Sequence, residues 1–592
     1  TQLYGAVRRK GDYPNMKKLN TITTSVNKPE SNLITRTFKF LYGKFSGSKR
    51  LKLTGVQELC DSIAVKPICN FEYYEGEKTP IRNSWAIDHW GFYNGPTENA
   101  SYFPNIPLVS ELDPKVVAPP YHSASREPNF EFTRLQSLKK ILYPNGGYKE
   151  LEYDLHEWLN PQTRQIENGG GLRIRKITES DGSNSNPSIF TYSYEGGELY
   201  DNSRNYILSH SKTIDTDKTN YIFYLSSRNL STSVDSFGAS VVYSSVTEKL
   251  PNQSSIKYEY MPLSNYNDLP GRLYVQNAYV AINTGVELHG RTPKTSLAWG
   301  RNLLRHKTTF NAWGTEIASE SFVYKADSTT MVRIPSYTTF FSYQKRNGLL
   351  YTDLYLGEYF SVSCPMLLER KIIYKGKYNP ASKTIFSYKS NHLLSMISII
   401  ESDGTITGKS YSFPQDYNIS DTISVIGKLK HRNAILPLEE ITTRNGKVIA
   451  AKGRSFRLNE ANRKAIVLDC EKSLTKAEPI DWTSFTSVQC TPSKIIFNNH
   501  YKNDISYLEY NASGQVLCYQ DENGVNHSFL YTSNTTRPFM TLHNARLSAT
   551  SANNEVFFTD FEHLTGPTYA QARSGTKALS TTPSSAYTIS QK

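Results

Sequence analysis

The stretch "YNASGQVLCYQDENGVNHSFLY", Tyr510 to Tyr531, constrains the fold more than any other part of the chain. It sets two turn signals back to back, Asn511-Ala-Ser-Gly514 and Asp521-Glu-Asn-Gly524, between aromatic and β-branched residues. Gly at the end of each can take the positive φ that tight hairpin turns need. A similar plan appears in Thr308–Tyr324, with Asn311 and Gly314, and in Ser387–Phe413, with Asp403 and Gly404. Glu439–Phe456 repeats the turn-then-strand half. The units recur about every 20 residues, with insertions. A hairpin of that size cannot bury its own face, whereas a stack shares one interior. The sequence therefore predicts a repeated, mostly antiparallel β ribbon or solenoid.

Composition agrees. The 592 residues include 41 Tyr beside 26 Phe and 6 Trp. Tyrosine favours a pleated surface with one face packed and one end wet. Runs such as "YKELEYDLH", "GLRIRKI", "SIKYEYM" and "ISYLEYN" place apolar or aromatic residues at roughly every second position, the period of a half-buried strand. Helical periodicity is scarce, and "QSLKKIL" and "NEANRKAIVLDCEKSL" are the candidate short helices.

Net charge is +13, but it is spread thinly and is densest in "KLKHRN", Lys428 to Asn433, which reads as a solvated face. No nucleic-acid motif accompanies it, so nucleic acid is not an expected partner, whereas an acidic polysaccharide is compatible with it. No run reaches the roughly 18 apolar residues of a membrane helix. The opening "TQLYGAVRRKGDYP" has no initiating Met and no apolar signal region, and reads as the start of a processed or partial chain. Among the 6 Cys, Cys60/Cys69 and Cys470/Cys490 are close enough in sequence for local disulfides, and the count leaves open whether they form.

Few residues offer chemistry. Asp88-His89-Trp90 in "AIDHWGFYNG" is the sharpest polar cluster, with His89 a candidate base or ligand beside Asp88. The structural reading is a corner, where Asp88 satisfies turn amides and the aromatics pack. Adjacent strand residues point to opposite faces, so the two are not expected to cooperate. "ENGGGLRIRK" lacks the helix and the Lys-Ser/Thr pair of a phosphate loop, and Gly169-Gly170-Gly171 reads instead as a bulge or close strand crossing. "DLHEW" pairs His156 with Glu157 but lacks the His-Glu-x-x-His zinc spacing. Calcium loops and nucleophile elbows are absent. The sequence nominates no catalytic residue, no metal ligand and no cofactor.

The unit aromatic-Asn/Asp-x-x-Gly-x-Val, then Asp-x-x-Gly, then Tyr resembles the YD repeat of Rhs-type proteins. "NSWAIDHWGFYNG" (residues 83–95), "LKKILYPNGGYKELEYDLHEW" with "ENGGGLRIRKI" (138–177), the 387–417 stretch ending in "SFPQDY", and the 507–545 stretch ending in "TLHNA" are similar to phrases of the large secreted YD-repeat proteins of Bacteroidota. The returning strand "SFLYTSNTTRPFMTLHNA" lacks the Trp-Gly usual before the Tyr, and neither the Rhs core nor a C-terminal toxin domain is present, so the chain looks like a central segment.

The resemblance implies an all-β YD/Rhs-type ribbon or shell over residues 1–545. Residues 546–592 follow as the start of a jelly-roll-like, carbohydrate-binding-like segment, "EVFFTDFEHLTG" then "ARSGTKAL", with a loose tail. It further implies a secreted or outer-membrane-surface scaffold without catalysis of its own, which carries, encloses or displays another moiety. Expected partners are other segments of its own longer chain and an outer-membrane, type IX-like secretion machinery. Asp61-Ser-Ile and Asp421-Thr-Ile match the loose O-glycosylation signal of such envelope proteins. The rival readings are a glycan-binding adhesin and, less favoured, a polysaccharide-active enzyme.

Overall fold

The structure is a computed structural model. It describes residues 17–27, 32–46, 50–60, 64–76, 84–95, 98–104, 124–183, 186–200, 207–215, 218–225, 239–276, 294–346, 349–376, 379–462, 465–476, 478–531 and 538–547, with the short pairs 568–569 and 578–579. The chain divides into two units, Thr1–Ile22 with Phe38–Ile385, and Thr23–Thr37 with Phe386–Lys592.

In the first unit, one antiparallel ladder runs in chain order. Its strands are Leu51–Cys60, Ala64–Tyr73, Leu138–Leu142, Tyr148–Leu159, Ile166–Ser180, Ser188–Leu199, Val241–Lys249, Ser255–Tyr260, Leu304–Phe310, Glu316–Ala326 and Met366–Lys375. Two insertions form sheets of their own. Ile207–Asp215 pairs with Lys218–Leu225, while Arg272–Gln276 and Val332–Arg346 flank Leu349–Ser363. The second unit repeats the plan with Leu394–Glu401, Ile406–Ser412, Glu439–Arg444, Lys447–Leu458, Ile466–Leu474, Tyr501–Tyr510, Val516–Asp521, Asn526–Tyr531 and Pro538–His543. The fold class expected from the sequence is the one observed: nearly all antiparallel β with few helices.

The hairpin turns follow from their residues. Asn511 Oδ1 accepts the amides of Ser513 and Gln515 at 3.0 Å each, and Gly514 closes the turn at φ +81°. Asp521 Oδ1 does the same for Asn523 (2.9 Å) and Val525 (3.0 Å), with Gly524 at φ +82°. Asn311 repeats the motif on Trp313 and Thr315. A side-chain acceptor at the first position and a left-handed residue at the fourth make a tight turn with a glycine bulge.

A second regularity is not visible in the turn motif. The register shifts immediately before a tyrosine at Glu72/Tyr73, Glu152/Tyr153, Glu259/Tyr260, Val323/Tyr324, Glu509/Tyr510 and Leu530/Tyr531, each time toward the following strand. A bulge twists its strand and re-aims the next side chain. In four of these cases the phenol donates to a backbone carbonyl of the preceding strand. Tyr73 reaches Leu53 O (2.8 Å), Tyr153 reaches Leu138 O (2.7 Å), Tyr510 reaches Leu468 O (2.7 Å) and Tyr531 reaches Val516 O (3.0 Å). Each tyrosine thereby ties three consecutive strands.

Buried side chains gather in small clusters spread along the ladders. Trp158, Leu199 and Val241 form one in the first unit. In the second, Ile441, Val448, Ala451, Ile480 and Phe485 form another, and Ile419, Ile426, Leu429, Leu438 and Val488 pack around the helix Val425–His431. Beside these clusters Glu439, 1% exposed, accepts the Val488 amide at 2.9 Å and the Tyr501 hydroxyl at 2.7 Å. Burial pushes its carboxyl up, so it behaves as a hydrogen-bonding strut rather than a surface charge.

Both helix candidates are corrected. "QSLKKIL" contains the strand Leu138–Leu142, held between Ala64–Tyr73 and Tyr148–Leu159. "NEANRKAIVLDCEKSL" contains the strand Ile466–Leu474, paired on both sides. Spacings of three and four apolar residues fit a short helix, but two-sided ladder pairing wins. Among the described residues the α-helices are Phe130–Thr133, capped by Asn129, and Val425–His431, capped by Ser424. "KLKHRN" forms the last turn of the second helix, where cations offset the helix dipole, and Lys430 Nζ donates to Tyr417 O at 2.6 Å. The jelly-roll-like reading of residues 546–592 lies almost wholly outside the described residues; of that stretch the structure describes the pairing of Thr568–Tyr569 with Ala578–Leu579.

Replacing Tyr510 by Phe leaves Leu468 O without its phenol and keeps the ring in place. We expect a loss of about 1 kcal/mol, read as a lower urea midpoint for the full chain. An unchanged midpoint would show that the phenol adds nothing.

Candidate functional site

The strongest concentration of buried polar groups lies in the first unit, where residues 84–104 meet 124–134. Ile87 and Tyr93 form an antiparallel bridge, and Asp88 to Gly91 turn between them, with Asp88 N donating to Phe92 O at 2.8 Å. Asp88 is fully buried, and its Oδ1 accepts the Trp90 and Phe92 amides at 2.9 Å each. Burial pushes its carboxyl up to about 6, while those amides and the nearby Arg126 act in the opposite sense. His89 lies in the turn rather than on a strand. Its amide donates to Arg126 O (3.1 Å), its Nε2 stands 3.5 Å from Glu127 Oε1, and its ring meets Trp90 edge-on. Asp88 and His89 thus serve separate partners, and the turn rather than strand alternation separates them.

Two asparagines zip this loop to residues 125–127. Asn94 Nδ2 donates to Ser125 O (3.1 Å) and Glu127 O (3.0 Å). Asn99 Nδ2 donates to Trp85 O and Ser125 O at 3.2 Å each, and its Oδ1 accepts the Ser125 amide at 3.0 Å. Arg126, 4% exposed, donates to Tyr102 O at 3.0 Å. Sequence reasoning missed Asn99, Arg126 and Glu127, which sit in no motif or periodic run.

The three glycines are explained by what lies on them. A Cβ at Gly170 would stand 2.6 Å from Trp90 Cβ, and one at Gly169 would stand 2.6 Å from Val241 Cγ2. A Cβ at Gly171, itself at φ +92°, would stand 3.1 Å from Phe92 Cζ. A register shift opposite them, between Leu155 and His156, accompanies the crossing. The "AIDHWGFYNG" loop and the "GGG" segment are two halves of one contact.

The same strands bring His156, Glu157, Arg173 and Tyr243 together. The Tyr243 hydroxyl lies 3.1 Å from His156 Nδ1, from the Glu157 amide and from Arg173 Nη1. Arg173 Nη2 also donates to Glu157 Oε2 at 2.6 Å. Burial, then the Arg173 charge, pushes His156 down to about 4, so the imidazole is neutral at pH 7. The phenol therefore accepts from the amide and the guanidinium and donates to Nδ1. Tyr243 and Arg173 carried no sequence signal beyond strand alternation.

Beside this network an open cleft of about 470 Å³ is lined by Glu127, Pro128, Glu157, Ile166, Glu167 and Asn168. Its carboxylates are already engaged: Glu157 by Arg173, Glu167 by Asn160 Nδ2 at 2.6 Å, and Glu127 beside His89. No group of three or more His, Cys, Asp or Glu able to hold a metal ion occurs among the described residues.

The cysteines are free thiols where described. Cys470 lies mid-strand with its Sγ 2.9 Å from Ser455 Oγ. Cys490 sits on the separate two-residue strand Gln489–Cys490 and packs on the helix cluster, where burial pushes its thiol up to about 12. Neither local pairing is formed, because Cys69 is likewise free, while the Cys60 side chain lies outside the described residues. Asp61 lies outside them too. Asp421 accepts the Ile423 amide at 2.9 Å and the Ser424 hydroxyl at 2.8 Å, ahead of the helix. Among the described residues no helix is long and apolar enough to cross a membrane, which says nothing of a β-barrel.

No family model matches the chain, and no curated protein matches it. Among solved structures, the crystal structure of TcdB2-TccC3-Cdc42 overlaps 85% of this chain and 26% of its own, at 8% identity and a TM-score of 0.34. The crystal structure of TcdB2-TccC3-TEV overlaps 69% and 23%, at 8% identity and 0.31. The Tc holotoxin pore of Photorhabdus luminescens carrying TccC3-D651A overlaps 88% and 20%, at 10% identity and 0.15. The chain thus spans about a quarter or less of these structures, and overlaps this loose do not establish kinship.

Asp88 makes stability fall with pH in a defined window. Its folded-state value of about 6 exceeds the ordinary carboxylate value of 3.8, so the folded chain holds the proton more tightly. Its contribution is present below pH about 4 and lost as pH rises to about 6, a change of roughly 2–3 kcal/mol. The difference in unfolding free energy between the native chain and Asp88→Asn, measured by denaturant titration across this range, should fall accordingly. A flat difference would contradict the assignment.

Proposed function

We propose that the chain is a non-catalytic β-repeat scaffold of Rhs/YD type, which carries, encloses or displays another moiety outside the cell or at its surface. One observation carries this reading: the Asx-turn, bulge and tyrosine unit recurs along both ladders, and its polar side chains are spent on holding strands together. The buried groups of the candidate site fit that role. Asp88, Asn94, Asn99 and Arg126 hold backbone, and Tyr243 links three strand residues. Export by a type IX-like system and an origin in Bacteroidota rest on the resemblance of the quoted phrases alone.

A glycan-binding adhesin is the second reading, favoured by one feature. Trp313 stands 88% exposed at the tip of the Asn311–Gly314 turn, as an aromatic platform would. Reading the coding sequence on both sides of the segment, with a pull-down of the full chain on acidic polysaccharide, separates the two. The scaffold reading expects further YD-type repeats, a downstream core with a variable C-terminal domain, and no retention. Flanks without repeats, together with retention lost on Trp313→Ala, would overturn it in favour of the adhesin.

A further inference from the structure

We propose that His527 and His543 form a site for a divalent transition-metal ion of the zinc, copper or nickel class. The two residues are direct cross-strand partners on Asn526–Tyr531 and Pro538–His543. Their Nδ1 atoms stand 3.0 Å apart. Two imidazole lone pairs do not share that line, so one Nδ1 carries a proton and donates to the other. The second nitrogen of His527 decides which. Its Nε2 lies 3.1 Å from Asp521 Oδ2. An ionised carboxylate only accepts, so the geometry places a proton on Nε2 and leaves Nδ1 to present its lone pair toward His543. A histidine oriented by an outer carboxylate, with its other nitrogen bare, is the arrangement found behind metal-bound imidazoles.

The support is itself fixed. Asp521 is held by its own turn, with Oδ1 accepting two backbone amides. Tyr519 stacks on the His527 ring, with centroids 4.7 Å apart and planes 14° apart. In a tetrahedral site, metal–nitrogen bonds of about 2.0–2.1 Å place two donor nitrogens about 3.3 Å apart. The pair needs to open by only a few tenths of an ångström, and His543, the exposed partner, can move and carry its proton on Nε2. The ion thus takes the place of the proton between the rings. Two neutral imidazoles select zinc, copper or nickel over calcium or magnesium. With two protein donors, water fills the remaining positions, and the affinity falls in the micromolar range. Bound metal would clip the Asn526–Tyr531 and Pro538–His543 strands together.

Calorimetric titration of the full chain with zinc chloride at neutral pH tests the site, with copper(II) electron paramagnetic resonance reporting the number of coordinating nitrogens. The expected result is one ion bound at micromolar concentration, two imidazole nitrogens in the copper spectrum, and affinity at least about tenfold weaker in His543→Ala. His543 is exposed, so that variant should keep the native circular dichroism. Asp521→Asn retains the turn acceptor and should weaken binding about tenfold while leaving both nitrogens in the spectrum, as a positioning residue would. Equal zinc affinity in the native chain and His543→Ala, or no binding at about 1 mM zinc, would overturn the proposal.

Discussion

The interaction on which the structure depends is the phenol-to-carbonyl hydrogen bond that follows a β-bulge. Each of Tyr73, Tyr153, Tyr510 and Tyr531 sits just after a register shift toward the next strand and donates back to a carbonyl of the strand before. A two-stranded hairpin in water is marginal, because its one apolar face stays wet. A residue that contacts the strands on both sides makes the smallest stable piece larger than a hairpin. The bulge supplies the aim, the ring supplies buried area, and the hydroxyl satisfies a backbone acceptor. This accounts for a chain rich in tyrosine whose described residues bury their apolar side chains in a series of small clusters.

The candidate site applies the same economy with different residues. A turn closed by a buried carboxylate lies on a glycine track because no side chain fits between Trp90 and Gly170. Buried amides and a guanidinium then tie that turn to residues 124–128. Buried polar groups tied to backbone in this way specify one arrangement of loop on sheet rather than adding much net stability, and Asp88 Oδ2 and Asn94 Oδ1 stay buried without a hydrogen-bond partner. Across the sheet, Tyr243 does for His156, Glu157 and Arg173 what the bulge tyrosines do for carbonyls.

Much of the fold was legible because turn chemistry is local. Asn511 and Gly514, or Asp521 and Gly524, write their own hairpins within four residues, and alternating runs mark the strands between them. The helix candidates failed because Leu138, Ile141 and Leu142 satisfy a helical spacing as well as a strand flanked on both sides, and pairing with Tyr73 far back in the chain and with the neighbouring hairpin strand at Tyr148 decides the matter. The glycine triplet looked like a bulge or crossing, but its partner Trp90 lies some 80 residues away and could not be named. Tyrosine abundance was visible, whereas the destination of each hydroxyl was not, since it depends on a register shift that no local motif encodes. The cross-strand His527–His543 contact was hidden for the same reason.

Spectrophotometric titration of the tyrosines in the full chain tests the central claim most directly. Burial holds the phenols of Tyr73, Tyr153, Tyr510 and Tyr531 above their usual range. A free phenol ionises near pH 10. The account predicts that exposed tyrosines titrate there, while a second group ionises later and only together with loss of the β-sheet circular dichroism. A single reversible wave near pH 10 with the sheet intact would contradict it.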